Sequence, residues 1–362
     1  MFRMVYPFLP VFSRGMGVGL PALSFALTGR SVAGAFGPFL ASISDRRGRK
    51  AGLFLGMILF TAGVVLVVIW PTYPLFFVSL ILTTLGKYVF DPAMQAYLGD
   101  QVSYRRRGLV LAVTELGWSL SYIVGIPLMA FLIARGGWMS PFTLLALLGG
   151  LAIVLLPRMV PFESQLTKSR FGMWGNFRAV LRYTPALAGL SFGFLASSAN
   201  ELVNVVFGVW MEDSFGLQIA ALGAASAVIG LSELGGEFAA GGLADRLGKP
   251  RAVSIGLILN SIAAVGLPLL GGSLTGAVVG LFLFYITFEF SIVSSIPLMT
   301  EILPSSRATL MSFNVAVLSL GRAVGALLAP NLYANGIIAT GLAVLLLNIV
   351  ALIALRKVGS EV

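Results

Sequence analysis

Two stretches of this 362-residue chain repeat each other, and the repeat decides how the rest of the sequence is read. Residues 41–50 read ASISDRRGRK, and residues 241–251 read GGLADRLGKPR. Three residue types recur at an offset of 200: Asp45 with Asp245, Arg46 with Arg246, and Gly48 with Gly248. Several identical residues at one offset indicate an internal repeat of about half the chain.

A second pair of stretches repeats at nearly the same spacing. Asp100 and Glu301 lie 201 residues apart, and Arg107 and Arg307 lie 200 residues apart. Both pairs fall between long apolar runs. We therefore predict two copies of one helical unit, related by an axis along the membrane normal.

The composition is that of a membrane protein. The chain is 58% hydrophobic and 10% charged, with a mean hydropathy of +0.96, whereas soluble domains carry about 25% charged residues. This excludes a soluble enzyme, a soluble nucleic-acid binder and a disordered scaffold. The chain has no cysteine and no histidine, so we expect no metal site and no cofactor, and proton chemistry must use carboxylates.

A helix that spans a membrane needs roughly 20 apolar residues. Residues 1–13 are apolar but too short to cross alone. Eleven longer runs follow, near 19–42, 51–70, 74–98, 108–134, 139–157, 184–210, 217–243, 251–271, 275–298, 308–332 and 335–355.

The cations give the orientation. Most of the 24 Lys and Arg residues lie in alternate loops, around 46–50, 105–107, 158–182, 246–251, 307 and 356–357. The positive-inside rule places these loops in the cytoplasm. We therefore predict a multi-pass protein of the inner (plasma) membrane with a cytoplasmic C-terminus, and we attribute the net charge of +10 to topology rather than to nucleic-acid binding.

The basic stretch at 158–182 divides the chain into an N-terminal helix bundle (1–157), a cytoplasmic linker and a C-terminal helix bundle (183–362). The seventh span starts near residue 184, so the repeat places the start of its partner before Met1. We expect a first helix that is partial and begins in mid-membrane, because the sequence is truncated or its start is misassigned. The alternative is a genuine eleven-span protein with a short re-entrant start.

The repeated loop GGLADRLGKPR resembles the signature loop between the second and third helices of the major facilitator superfamily, and ASISDRRGRK resembles its copy in the first half. FDPAMQAYLGDQVSYRRRG is similar to the junction of the fourth and fifth helices in bacterial members. Gly125, Ile126 and Pro127 resemble a weakened form of the Gly-Pro motif of drug:proton antiporters. The resemblance implies an all-α polytopic fold of two pseudo-symmetric six-helix bundles.

The resemblance also implies alternating access, with charges at the inner helix ends that hold the cytoplasmic face shut. Carboxylates there can cap helices and pair with arginines. The predicted conformational latch comprises Asp45, Arg46, Arg49, Asp100, Asp245, Arg246 and Glu301. Simple solvation of charged helix ends is the alternative reading.

Charges inside the membrane cost roughly 2.5–3.5 kcal/mol each, so they are candidate functional groups. The family's first, fourth, seventh and tenth helices line its cavity. Arg3, Lys87, Asp91, Glu201 and Glu289 fall on these helices, and we rank Glu289 first as the proton carrier. Arg30, Glu115 and Arg322 complete the predicted substrate and coupling set; they and the acidic residues Glu233 and Glu237 could instead be ties between helices.

The sequence predicts a secondary transporter that moves a small organic solute, with H⁺ as the coupling ion and efflux as the direction. A proton symporter for a sugar or organic anion, and a non-transporting receptor on the same fold, are the alternatives. No enzymatic motif is found: Gly242 and Gly248 are spaced too widely for a phosphate loop, and Pro250 follows Lys249. We expect a monomer that contacts membrane lipid.

Overall fold

The computed structural model describes residues 3–37, 39, 48–101, 117, 120–160, 173–303 and 306–359. Over these ranges the protein is helical and has no strand. The first bundle consists of α1 (Leu9–Met16), α2 (Leu20–Ala35), α3 (Arg49–Ile69), α4 (Tyr73–Gln101), a π-helical turn (Ser121–Gly125) that continues into α5 (Ile126–Gly136), and α6 (Ser140–Met159).

The second bundle follows a short helix, α7 (Met173–Arg182), which lies in the predicted linker. It consists of α8 (Thr184–Phe215), α9 (Ile219–Leu247), α10 (Lys249–Leu270), α11 (Leu274–Ile302), α12 (Arg307–Tyr333) and α13 (Ile337–Gly359). Within the described ranges, nine helices are long and apolar enough to cross a membrane: α3, α4, α6 and α8–α13. The predicted all-α, two-bundle fold is confirmed.

Small residues bring helices of one bundle into backbone contact. A β-carbon at Gly56 on α3 would lie 2.7 Å from the carbonyl oxygen of Gly86 on α4. In the second bundle, a β-carbon at Gly256 on α10 would lie 2.7 Å from Cβ of Ser291 on α11. Gly56 and Gly256 are 200 residues apart, so the close approach is part of the repeat.

The backbone conformation at the helix junctions is repeated in the two halves. All six residues with positive φ in the described part of the chain are glycines, and they form three pairs at offsets of 199 or 200. The pairs are Gly17 with Gly216, Gly48 with Gly248, and Gly137 with Gly336. Left-handed φ values cost little only for glycine, so these positions fix corresponding junctions in both halves.

Among the described residues, helices of the two bundles pack together where α2 meets α12, where α5 meets α9 and where α1 meets α8. We call the end of the molecule near Gly48 and Gly248 the inner end, and the end near Gly17 and Gly216 the outer end. Among the described residues, one buried apolar cluster contains side chains of both bundles, including Phe12, Phe76, Phe142, Phe207 and Leu222, and it fills the outer half. The other two clusters belong to the second bundle with α7. The outer half is therefore closed between the bundles.

Several helices extend beyond the ends of the predicted spans. α8 continues to Phe215 and α9 to Leu247, beyond the predicted ends at 210 and 243. An apolar run marks the hydrocarbon thickness, but helical hydrogen bonding continues into the interface until a residue such as Gly216 or Gly248 ends it. The placement of Arg3 on the first helix was wrong, because α1 begins at Leu9, with Pro10 at its N-terminus, and residues 3–8 form turns. Proline is preferred at such a helix start.

Candidate functional site

A buried cluster of charged and polar side chains lies where residues 3–8 meet α2, α8 and α11. We call Tyr6, Arg30, Glu201, Asn204 and Tyr285 the Glu201 cluster. The Tyr6 hydroxyl donates to Oε1 of Glu201 at 2.7 Å and accepts a hydrogen bond from Arg30. Asn204 Nδ2 donates to Oε2 of Glu201 at 3.3 Å, and the Tyr285 hydroxyl donates to Oδ1 of Asn204 at 2.6 Å. Residues from both bundles therefore share one hydrogen-bond network.

Glu201 is fully buried, with 0% of its surface exposed, as is Arg30. The charges of Arg30 on α2 and Arg322 on α12 both act on Glu201. The sequence shows no cation within a helical turn of Glu201, but the fold supplies two from other helices. Two guanidinium groups oppose one carboxylate here, so Glu201 is electrostatically compensated.

A second cluster surrounds Arg3, and we call Arg3, Tyr122, Glu233, Glu237 and Glu289 the acidic cluster. Arg3 forms an ion pair with Glu233 on α9, and its guanidinium lies 4.3 Å from the centre of the Tyr122 ring. The charges of Glu233, Arg3 and Glu237 act on Glu289 on α11. Glu289 is partly buried and makes no ion pair or hydrogen bond with the residues that the structure describes.

Glycines allow these side chains to approach one another. A β-carbon at Gly208 on α8 would lie 2.7 Å from the carbonyl oxygen of Pro7. A β-carbon at Gly325 on α12 would lie 2.7 Å from Cβ of Glu201, and one at Gly236 on α9 would lie 2.7 Å from Cβ of Glu289. The N-terminal segment and α12 can therefore pack directly against α8, which carries Glu201, and α9 can pack directly against α11, which carries Glu289.

Arg322 lies at the contact of α12 with α2 and α4. Its Nη2 donates to the Ser319 hydroxyl at 3.2 Å, and that hydroxyl lies 2.9 Å from the Tyr88 hydroxyl on α4. Thr28 on α2 donates to the carbonyl oxygen of Ala323 at 3.3 Å. Polar groups of both bundles therefore meet around Arg322.

Lys87 and Asp91 form an ion pair within α4, as the i, i+4 spacing predicts. Both line a cavity of about 240 Å³ between α3 and α4, together with Gly56, Met57, Phe60, Thr83, Gly86 and Phe90. The structure places this pair on the side of α4 that faces α3. Lys87 also lies 5.9 Å from the centre of the Tyr88 ring, which connects the pair to the Arg322 region.

The predicted latch residues lie at the inner end, where the structure is described in part. Asp245 and Arg246 are exposed and form no ion pair with described residues. Glu301 pairs with Lys249, which joins α11 to α10 within one bundle, and Arg49 begins α3. Asp45, Arg46 and Glu115, and the side chain of Asp100, lie outside the described residues.

Three tyrosines of these clusters were not predicted from the sequence: Tyr6, Tyr122 and Tyr285. Glu233 was predicted only as a possible tie between helices, and the structure places it in an ion pair with Arg3. Tyrosine is common in membrane proteins at the interface, so nothing in the sequence distinguishes a tyrosine that donates to a buried carboxylate. Glu201, Glu289 and Arg322 could be selected because charge inside an apolar run is rare.

The arrangement of the helices matches known transporter structures. The crystal structure of a D-xylose–proton symporter superposes with a TM-score of 0.80 over 97% of this chain and 93% of that one, at 16% sequence identity. That of a POT family transporter in complex with a thioalcohol-conjugated peptide gives 0.78 over 99% and 92%, at 14% identity. At such identities the likeness concerns the fold. The shared fold is that of a polytopic helical membrane protein.

The sequence model of the Major Facilitator Superfamily matches residues 1–326, and the chain belongs to this superfamily. An uncharacterized MFS-type transporter of Bacillus subtilis (strain 168), YwfA, is 26% identical over 93% of this chain and 83% of its own length. Membership confirms the resemblance seen in the repeated loops and indicates a secondary transporter in a membrane.

Proposed function

We propose that this protein exports a small organic solute by alternating access, driven by protons that enter as the solute leaves, and that Glu289 carries the proton. The supporting observation is the setting of Glu289: a partly buried carboxylate, deep in α11, without an ion pair among the described residues, next to the Arg3–Glu233 pair. Since a lone charge in a membrane is costly, such a carboxylate can take up a proton.

Glu201 and Asp91 are weaker candidates for this role. Arg30 and Arg322 oppose the charge of Glu201, and Lys87 pairs with Asp91. Arg3 is already paired with Glu233, so neutralising Glu289 changes the charge next to a tie between the N-terminal segment and α9. Proton binding can in this way bias the contact between the two bundles.

Two observations support export. Gly125, Ile126 and Pro127, which resemble the antiporter motif, lie where the π-helical turn joins α5. This region faces α9 of the other bundle, where a β-carbon at Gly223 would lie 2.7 Å from Cβ of Ala130 and one at Gly230 would lie 2.6 Å from Cβ of Tyr122. In addition, Multidrug resistance protein 2 of Bacillus subtilis (strain 168) is 23% identical over 78% of this chain and 72% of its own length.

The test uses everted membrane vesicles and a panel of labelled organic acids, sugars and organic cations. We expect accumulation of at least one solute when the vesicle interior is acidic. Glu289→Gln should abolish gradient-driven accumulation and leave solute exchange at equal pH measurable. Asp213→Asn, which removes a carboxylate at the outer end, is the control and should keep accumulation.

Direction and coupling are decided by the same assay. Uptake into right-side-out vesicles with an inward proton gradient would identify a symporter instead. If Glu289→Gln, Glu201→Gln and Asp91→Asn each keep full gradient-driven transport, these carboxylates do not couple protons, and a sodium-coupled or uniport mechanism follows. We further propose that the inner-end residues around Asp45 and Asp245 act as the latch of the closed cytoplasmic face.

A further inference from the structure

Arg322 lies in the middle of the membrane-spanning helix α12. Its guanidinium forms no ion pair with an acidic residue in the described part of the chain. Arg322 donates a hydrogen bond to the Ser319 hydroxyl, and the Tyr88 hydroxyl lies next to this Ser319 hydroxyl. Its side chain is partly buried. Other membrane cations differ: Arg3 pairs with Glu233, and Lys87 pairs with Asp91.

Glu201 does not fill this role. Its charge acts on Arg322, but its two oxygens accept hydrogen bonds from Tyr6 and Asn204, and the two residues form no ion pair. Arg30 also acts on Glu201 through the Tyr6 hydroxyl. Arg322 therefore has no carboxylate in ion-pair contact among the described residues.

The surroundings of Arg322 offer neutral hydroxyl groups. On α2, Thr28 contacts Ala323, and a β-carbon at Gly34 would lie 3.2 Å from Oγ of Ser319. Ser31 lies between Thr28 and Gly34 on the same helix face, since residues three apart are neighbours. The Ser31 side chain is 4% exposed, and its hydroxyl has no hydrogen-bond partner among the described residues.

We propose that Arg322, with the hydroxyls of Ser319, Tyr88 and Ser31, binds the carboxylate group of the transported solute. A guanidinium accepts a carboxylate in two parallel hydrogen bonds, and the hydroxyls can donate to it. An anion there removes the cost of an uncompensated charge in the membrane. The substrate class is thus a small organic acid. This assignment deepens the proposed function and rests on it, because only a transporter would move the bound acid across the membrane.

The test is ligand binding by the full chain in detergent, measured as the thermal unfolding temperature at constant ionic strength. Benzoate, benzamide and benzamidine have one shape and carry charges of −1, 0 and +1. We expect benzoate to stabilise the wild-type protein more than the other two. Arg322→Gln should weaken the apparent affinity for benzoate at least about tenfold, and Arg322→Lys should weaken it less.

Arg158→Gln removes the same charge from an exposed arginine at the inner end, which donates to the carbonyl oxygen of Val154, and should leave benzoate binding unchanged. Three outcomes overturn the proposal: no benzoate binding, no preference for benzoate, or equal benzoate binding by Arg322→Gln. Phosphatidylglycerol is added in a separate arm; if it displaces benzoate through Arg322, the occupant is a lipid headgroup and the solute proposal is wrong. This binding assay uses no proton gradient and is independent of the vesicle transport assay. If benzoate binds through Arg322 but the vesicles show no gradient-driven transport, the proposed function is wrong and the carboxylate site stands.

Discussion

At the scale of single residues, two carboxylates on helices of the second bundle, the buried Glu201 and the partly buried Glu289, have opposite surroundings. Glu201 accepts hydrogen bonds from Tyr6 and Asn204 and is opposed by two arginines, whereas Glu289 has no ion pair with described residues. Removing one member of a compensated buried set leaves the other charges without a partner. Removing a lone carboxylate leaves no such deficit. The two glutamates are therefore expected to differ in what they contribute to stability.

Glu201→Gln should lower the stability of the protein in detergent by about 1–3 kcal/mol, because the amide cannot oppose the charges of Arg30 and Arg322. The measurement is the thermal unfolding temperature without added ligand. Glu289→Gln is the matched control, since it makes the same chemical change in a neighbouring helix, and it should change the unfolding temperature much less. Equal destabilisation by both variants would contradict the distinction drawn between the two clusters.

At the scale of helices, the two halves share the geometry of their helix junctions. Gly48 and Gly248 have φ values of 94° and 83° immediately before α3 and α10. A residue with a β-carbon is strained at such φ values. In the second half, Asp245 and Arg246 lie in the last turn of α9, just before this glycine, so the junction fixes where these charges lie relative to α10.

Gly248→Ala should therefore destabilise the protein by about 1–2 kcal/mol. Gly242→Ala is the control, since Gly242 lies inside α9, has no positive φ and has open space around its α-carbon. In a helix interior, alanine is favoured over glycine by about 0.5–1 kcal/mol. Thermal unfolding of the two variants should give shifts of opposite sign. A neutral Gly248→Ala would show that the junction does not need its left-handed conformation.

Hydropathy and charge in the sequence were enough to predict most helices and the division into two bundles. These signals are local, because each span must itself satisfy the membrane. The clusters were predictable in part for the same reason: Glu201, Glu289 and Arg322 are charges inside apolar runs. The partners Tyr6, Tyr122 and Tyr285 were not predictable, because the side chains that they contact (Glu201, Arg3 and Asn204) are distant in the sequence and meet them only in the folded protein. Arg3 was wrongly predicted to lie on a helix, because the hydropathy of a short apolar segment does not distinguish turns from helix.

At the scale of the whole molecule, the two ends of the bundle interface differ. The outer half is filled by a buried cluster of both bundles, and Arg14 on α1 forms an ion pair there with Glu212 on α8. Near it, the Tyr333 hydroxyl donates to Asp213 at 3.1 Å. At the inner end, Asp245 and Arg246 are exposed. The Arg14–Glu212 pair thus ties the bundles together at the closed end, and the proposed alternating access requires this tie to break.

Breaking the tie should make the outer half open more often. Arg14 is 61% exposed, and an exposed ion pair contributes about 0.2–1 kcal/mol, so the open population should rise by roughly one-and-a-half- to fivefold in Arg14→Gln. Since the chain has no cysteine, Ala329→Cys provides a single reporter. Ala329 is fully buried in the outer cluster, and its reaction rate with a membrane-impermeant maleimide added outside measures the opening.

Arg135→Gln is the matched control for this measurement. Arg135 also lies at the outer end, in the last turn of α5, but its guanidinium stacks 4.4 Å from the centre of the Phe131 ring in its own helix. Its removal should leave the maleimide reaction rate unchanged, because no tie between the bundles is lost. Faster labelling in both variants would indicate a general effect of surface charge on the reagent, and an unchanged rate in Arg14→Gln would show that the buried cluster alone keeps the outer half closed.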